Sequence, residues 1–137
     1  MENRYLFRAK RIDNGEWVEG YYTYYPHGFT SEDKMEHVIR DTVTSGDCNK
    51  LYFVDPSTIC QCTGLKDKNG KLIWDNDICK VGWIDNEAQA EGISKVTWDK
   101  NGYYPWLDEY SCDGCDLFNE IMFIEVIGNI FDNPELL

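Results

Sequence analysis

Three Asn-Gly turns punctuate this chain, and they constrain its fold more than any other feature. Asp13-Asn14-Gly15 follows one run of alternating residues, and the tetrapeptide Asp-Lys-Asn-Gly occurs at 67–70 and again at 99–102. Asp and Asn tolerate turn geometry and Gly supplies positive φ, so each site reads as the tip of a hairpin. The runs between them are rich in Tyr, Trp, Val and Ile, which suit a pleated surface. Such a chain is expected to be mostly β, built from antiparallel hairpins, with one or two short helices. The flanks of the two Asp-Lys-Asn-Gly copies differ, so they share turn chemistry and are not a duplicated domain. Neither is a calcium loop. Placing Gly70 sixth puts Leu65 first and Asn76 twelfth, and placing Gly102 sixth puts Thr97 first and Asp108 twelfth, where oxygen ligands and a bidentate Glu are needed.

Read along the chain, residues 4–11 form a strand with Tyr5, Phe7 and Ala9 on one face and Arg4, Arg8 and Lys10 on the other, Leu6 being the exception. Residues 16–25 form the next strand, ended by Pro26-His27-Gly28. Residues 31–39 fit two states. Ser31 could cap a helix carrying Met35, Val38 and Ile39 at helical spacing, or His37–Ile39 could be an edge strand. Leu51–Val54 is a short strand, and Asp55-Pro56 opens about one helical turn through Ile59. A hairpin over 65–82 leads into a strand at 78–83. Residues 85–92 read as an acidic loop, residues 93–98 and 103–107 as a second hairpin, and 108–116 as another acidic loop. Residues 117–122 suggest a short helix, and Ile124–Phe131 a last strand stopped by Asn133-Pro134. The whole is one domain over 1–137, divisible into an N-terminal β module (1–62) and a C-terminal module (63–137) shaped as a small bent barrel.

Charge is unevenly distributed. Residues 1–71 carry 10 basic and 11 acidic side chains, whereas residues 72–137 carry 3 basic and 14 acidic, giving −1 and −11 of the total −12. This balance argues against binding a phosphate backbone. The shared parity of Arg4, Arg8 and Lys10 makes either a solvated strand face or a basic strip that meets the acidic half of a neighbouring copy. With 42% hydrophobic and 15% aromatic residues over 137 positions, the chain has enough apolar material for its own core. No apolar run reaches the roughly 20 residues of a membrane span. The first residues lack the apolar stretch of a secretory signal, and the six cysteines are too irregular for a disulfide scaffold, so a reducing cytoplasm is expected.

Few residues offer chemistry. Cys112-Asp-Gly-Cys115 and Cys60-Gln-Cys62 together supply four thiols, the count for tetrahedral zinc, although the second pair lacks the turn of a zinc knuckle. The competing reading makes Cys60, Cys62 and Cys79 small core residues. Asp108, Glu109, Asp113 and Asp116 should raise the thiol pKa of Cys112 and Cys115, which disfavours redox work. Asp75 and Asp77 alternate and could share a face, but Asp-Asn-Asp before a strand more simply makes a solvated turn. The two histidines, His27 and His37, fall near surface segments, and no nucleophile elbow, P-loop or dinucleotide fingerprint occurs. Tyr21, Tyr22, Tyr24 and Tyr25, with Tyr103, Tyr104 and Trp106, could stack bases, but a basic groove is missing, so strand packing or an oligomer interface is the better reading.

Three collinear stretches carry a family resemblance: Phe7 to Tyr21 (Phe-Arg-Ala-Lys-Arg-Ile-Asp-Asn-Gly-Glu-Trp-Val-Glu-Gly-Tyr), Thr63 to Ile78 around the first Asp-Lys-Asn-Gly, and Ile124 to Leu136. Together they resemble the YopX family of phage and prophage proteins over nearly the whole chain. The resemblance implies a gene on a phage, prophage or similar element, expression in a bacterial cytoplasm, and homo-oligomer formation. It transfers no catalytic residues and no cofactor. Cys60 and Cys62 stand where the family pattern has Gly and Tyr around Gln61.

The expectation is therefore a non-enzymatic accessory module that self-associates or docks a host or phage protein, with no nucleic acid and no membrane as direct partner. Two alternatives compete. An acidic nucleic-acid mimic would occupy a DNA-binding protein, and a zinc protein would use Cys60, Cys62, Cys112 and Cys115.

Overall fold

A computed structural model describes residues 5–27, 34–41, 50–85, 87–98, 105–107 and 121–137. Among these are ten strands, β1 (Phe7–Lys10), β2 (Trp17–His27), β3 (Lys34–Asp41), β4 (Leu51–Phe53), β5 (Cys60–Lys66), β6 (Leu72–Trp74), β7 (Asp77–Asp85), β8 (Ala88–Trp98), β9 (Pro105–Leu107) and β10 (Ile121–Asn129). The 3-10 turn Pro56–Thr58 matches the helical turn expected through Ile59, whereas the 3-10 turn Pro134–Leu136 follows the expected strand stop and is not among the expected elements. The chain divides into two compact units, Arg4–Gln61 and, among the described residues, Cys62–Leu137. Every strand pairing is antiparallel.

In the first unit the pairs run β4-β3-β2-β1, and the first residues of β5 add to β1 through Phe7↔Gln61 and Arg8↔Cys60. Asn14 Oδ1 accepts from the Glu16 N–H at 2.9 Å, which sets the predicted turn between β1 and β2. The sheet curls until the end of β4 returns to the end of β1. Arg11 bridges Val54, Ile12 N–H donates to Phe53 O at 3.0 Å, and Asp55 N–H donates to Lys10 O at 2.9 Å. Ala9, Ile39 and Val54 form the core inside this curl, covered by Phe7, Val18, Tyr22, Tyr52 and Ile59. Asp55 caps the following 3-10 turn by accepting from Ser57 N–H, with Pro56 at its first position as predicted.

Between the two readings of residues 31–39, the strand wins over 34–39. Val38 and Ile39 are both buried although they point to opposite faces, and β-branched residues in register with Thr23 and Tyr22 gain more from cross-strand packing than from a helix. Pro26 does not end β2. It sits opposite Met35 with the strand running to His27.

The second unit joins the rest of β5 to β6 and adds a four-stranded sheet ordered β10-β7-β8-β9. Its core is Ile73, Cys79, Val81 and Val96, with Leu65, Trp83, Ile124 and Val126 packed against them. The sheets are bent, but no barrel closes among the described residues, which corrects the shape expected from residue 63 onward. Of the expected loop at 85–92, residues 88–92 are strand instead. β7 and β8 pair up to Asp85↔Ala88 around a tight turn in which Glu87 has φ 68°. The inward positions of early β8 are Ala90, Gly92 and Ser94, too small to give the alternation an apolar signature. At 121–122 the expected helix is strand β10 instead, while 117–120 lie outside the described residues. The last strand stops at Asn129, because Asn129 Oδ1 accepts from Phe131 and Asp132 N–H and turns the chain early.

One carboxylate joins three parts of this unit. Asp67 begins the first Asp-Lys-Asn-Gly turn and is only 7% exposed. Its Oδ1 accepts from Asn69 and Lys71 N–H, both at 2.9 Å, and its Oδ2 accepts from Val126 N–H on β10 at 3.0 Å. Lys68 N–H donates to Ile124 O at 2.9 Å, so the turn occupies the outer edge of β10 as a strand would. Gly70, at φ 82°, closes the turn where an L side chain would be strained. Close approach replaces chain reversal at Gly82, where an added Cβ would lie 2.2 Å from the Phe123 ring.

Burial pushes the Asp67 carboxyl up, but its three backbone N–H donors outweigh that and hold it below the usual carboxylate range. A depressed folded pKa stabilises the protein above the unfolded value of about 3.9, and the benefit fades as pH falls through the folded value. Asp67→Asn turns an amide donor toward one of these N–H groups, so we expect a loss of about 2–4 kcal/mol in urea unfolding at pH 7. The gap from wild type should narrow at pH 3, and a loss under about 1 kcal/mol at pH 7 would contradict the role of Asp67. Gly82→Ala should cost about 1–3 kcal/mol by overpacking, and much less in a Phe123→Ala background; equal costs in both backgrounds would show that the ring is not the obstacle.

Candidate functional site

The register of the first unit sorts its basic side chains onto the outer face. Arg8 and Lys10 alternate with the inward Phe7 and Ala9, as their parity predicts, and Lys10 lies opposite Trp17. The Arg8 guanidinium is 4.8 Å and the Lys10 ammonium 5.4 Å from the Trp17 ring centre, within cation–π range. The solvated-face reading is thus incomplete, because an indole sits between these cations. One strand further, Arg40 is opposite both Tyr21 on β2 and Leu51 on β4. Tyr21, Arg40 and Leu51 therefore form one row across three strands, and all are exposed. Sequence reading missed this row because it depends on β3 being a strand and on its exact register.

Beside the row, Arg11 ion-pairs with Asp13 and lies 4.7 Å from the Tyr52 ring centre. An open cleft of about 250 Å³ follows, lined by Arg11, Ile12, Asp13, Leu51, Tyr52 and Phe53. Ile12, Leu51 and Phe53 are exposed in it, which makes this rim apolar with a cation and an anion at one side.

The tyrosines weighed as a stacking platform, and read in preference as strand packing, divide between two faces among the described residues. Tyr22 points inward, packs on Phe7 and shares a 2.5 Å hydrogen bond with His37 Nδ1. Burial pushes its phenol up, so it stays protonated. The Tyr24 ring, directly across from His37, also contacts it at 4.6 Å between ring centres. His37 is thus half-buried against two rings and not a surface group as expected. The side chains of Tyr25, His27 and Trp106, and Tyr103 and Tyr104 entirely, lie outside the described residues.

The outer face of the second sheet is a charge ladder. Lys68 pairs with Glu125 and Lys80 with Glu91, each at 3.2 Å, and Glu125 is directly opposite Lys80. Lys68 also lies 5.0 Å from the Phe123 ring centre. At the sheet's hairpin end Ile84 and Glu87 are exposed.

The chemical candidates are largely absorbed by structure. Cys60, Cys62 and Cys79 are fully buried, in keeping with small core residues. Cys60 Sγ donates to Thr58 O at 3.2 Å, and Cys62 Sγ accepts from Gly64 N–H at 3.4 Å. Burial, with Asp77 and Asp67 nearby, pushes the Cys79 thiol far up. The other pair of the four-thiol reading, Cys112 and Cys115, lies outside the described residues. Among the described residues no three His, Cys, Asp or Glu side chains gather as metal ligands. Asp75 and Asp77 do flank a turn, but Asp77 is not solvated. It is 1% exposed and accepts from Trp74 N–H at 2.8 Å, which closes the β6–β7 turn around Asn76 at φ 69°. Among the described residues no helix is long and apolar enough to cross a membrane.

The comparisons agree with this architecture. The chain is similar to the crystal structure of protein EF1440 from Enterococcus faecalis, with a TM-score of 0.54 and 25% identity over 96% of each chain. No curated protein matches it. The family model described as YopX protein matches residues 6–137, taking in all three stretches that carried the resemblance, and the chain belongs to the YopX family.

Proposed function

We propose that this chain is a non-enzymatic assembly module, a phage or prophage accessory protein that associates with further copies of itself in the bacterial cytoplasm. The observation that carries the reading is the partition of charge between the two units. In the first, Arg8, Lys10 and Arg40 stand on one outer face beside Trp17, Tyr21 and Leu51. Residues 72–137, all in the second, hold 14 acidic against 3 basic side chains. Opposite surfaces on one chain are complementary between copies, and they raise association rates and set register. The aromatic and aliphatic neighbours of the cations supply the dehydrated contact area that charges alone do not. A protein-binding role toward a host or phage protein uses the same face and the same chemistry.

Multi-angle light scattering tests this at two ionic strengths. Going from 0.1 M to 1 M NaCl shortens the Debye length from about 10 Å to about 3 Å. We expect a mass above the 16.0 kDa of one chain at low salt, falling toward it at high salt. A monomer at both ionic strengths over micromolar concentrations contradicts the proposal.

A further inference from the structure

We propose that the Tyr21–Arg40–Leu51 row forms one half of a head-to-tail contact whose other half is the tip of the β7–β8 hairpin of a second copy. This rests on the self-association reading and names its surface. The row is open: Tyr21 is 54% exposed, Leu51 41%, and Phe53, two residues along β4, 39%, with Ile12 at 60% on the cleft beside them. Arg40 is exposed between its two neighbours and makes no ion pair among the described residues. A guanidinium between an aromatic and aliphatic side chains has the composition of an interface centre, and it asks for a carboxylate with an apolar companion.

The hairpin tip supplies both. Ile84 is 53% exposed at the end of β7, and Glu87, three residues on, is exposed in the turn. Among the described carboxylates of this face, Glu91 is engaged with Lys80 and Glu125 with Lys68. Glu87 makes no such pair among the described residues. A tight hairpin end is narrow enough to enter an open cleft. Ile84 then meets Leu51, Phe53 and Ile12 while Glu87 meets Arg40.

The symmetry of the assembly follows. A two-fold contact through the row sets Arg40 near the Arg40 of its partner with no carboxylate between them. A contact between row and tip joins different surfaces, and such contacts build rings or open chains and not closed dimers.

Charge exchange tests the assignment. Arg40→Glu and Glu87→Lys each put like charges together, and each should weaken association about 10- to 100-fold by sedimentation. The double variant R40E/E87K should return to within about threefold of wild type, since the pair is restored with reversed signs. Mixing the two single variants should also restore assembly, because each then offers what the other lacks. Both positions are exposed, and circular dichroism with thermal unfolding checks that each variant keeps the fold. If wild type assembles but neither single variant weakens it, or neither the double variant nor the mixture recovers, this surface is wrong while self-association stands. A wild type that stops at two copies also overturns it. A wild type that stays monomeric overturns the self-association reading beneath it.

Discussion

The second unit depends on one buried carboxylate that accepts from three backbone N–H groups. β10 is an edge strand, and an edge presents N–H and C=O groups that must find partners or remain open to other chains. Asp67 and Lys68 answer this locally. Lys68 N–H takes Ile124 O, and Asp67 Oδ2 takes Val126 N–H, so a turn of only four residues does the work of a neighbouring strand. The same carboxylate shapes the turn through Asn69 and Lys71, so turn and edge form together. Loss of the charge turns a donor toward a backbone N–H that needs an acceptor, at the turn or at β10, which makes Asp67 more than a turn former.

That arrangement shows what was legible in the sequence and what was not. The turn itself was legible, because Asp, Asn and Gly each have local reasons to stand where they do. The contact with Val126, 59 residues away, was not, because a carboxylate's choice of distant N–H leaves no local pattern. Asp77 is a similar case. It reads as a polar turn residue, yet it is buried because Trp74 N–H inside the hairpin needs an acceptor. Sheet content followed from turn spacing and β-rich runs. The first half of β8 escaped notice because its inward positions are Ala90, Gly92 and Ser94, and periodicity needs bulk to be seen.

The surface divides the same way. Parity alone placed Arg8 and Lys10 on one face. It did not place Trp17 between them, since that depends on the register of β1 against β2. The row through Arg40 needs two registers at once, β2 with β3 and β3 with β4, and it was out of reach while residues 31–39 had two readings. Cys60 and Cys62 were legible as alternate positions of one strand. Their full burial follows from the residues packed around β5, which spacing does not reveal.

Where charges are compensated decides which surfaces are available. Exposed ion pairs add little stability, so the ladder Lys68, Glu125, Lys80 and Glu91 is poorly explained as a brace for the sheet. Its effect is to neutralise that face, leaving the net acidity of residues 72–137 elsewhere, Glu87 included. In the first unit, Arg11 is satisfied by Asp13, while Arg40 makes no ion pair among the described residues. A cation without a partner beside exposed aromatic and aliphatic side chains gains little from water-facing isolation and much from a carboxylate that arrives with its own apolar neighbour, because excluding water strengthens the pair. On the proposed reading, each copy offers a cation on one unit and a carboxylate on the other, both without an ion pair among the described residues. Under the proposed contact, a row and a tip joined between copies repeat the same rotation or translation each time, which gives propagation or ring closure.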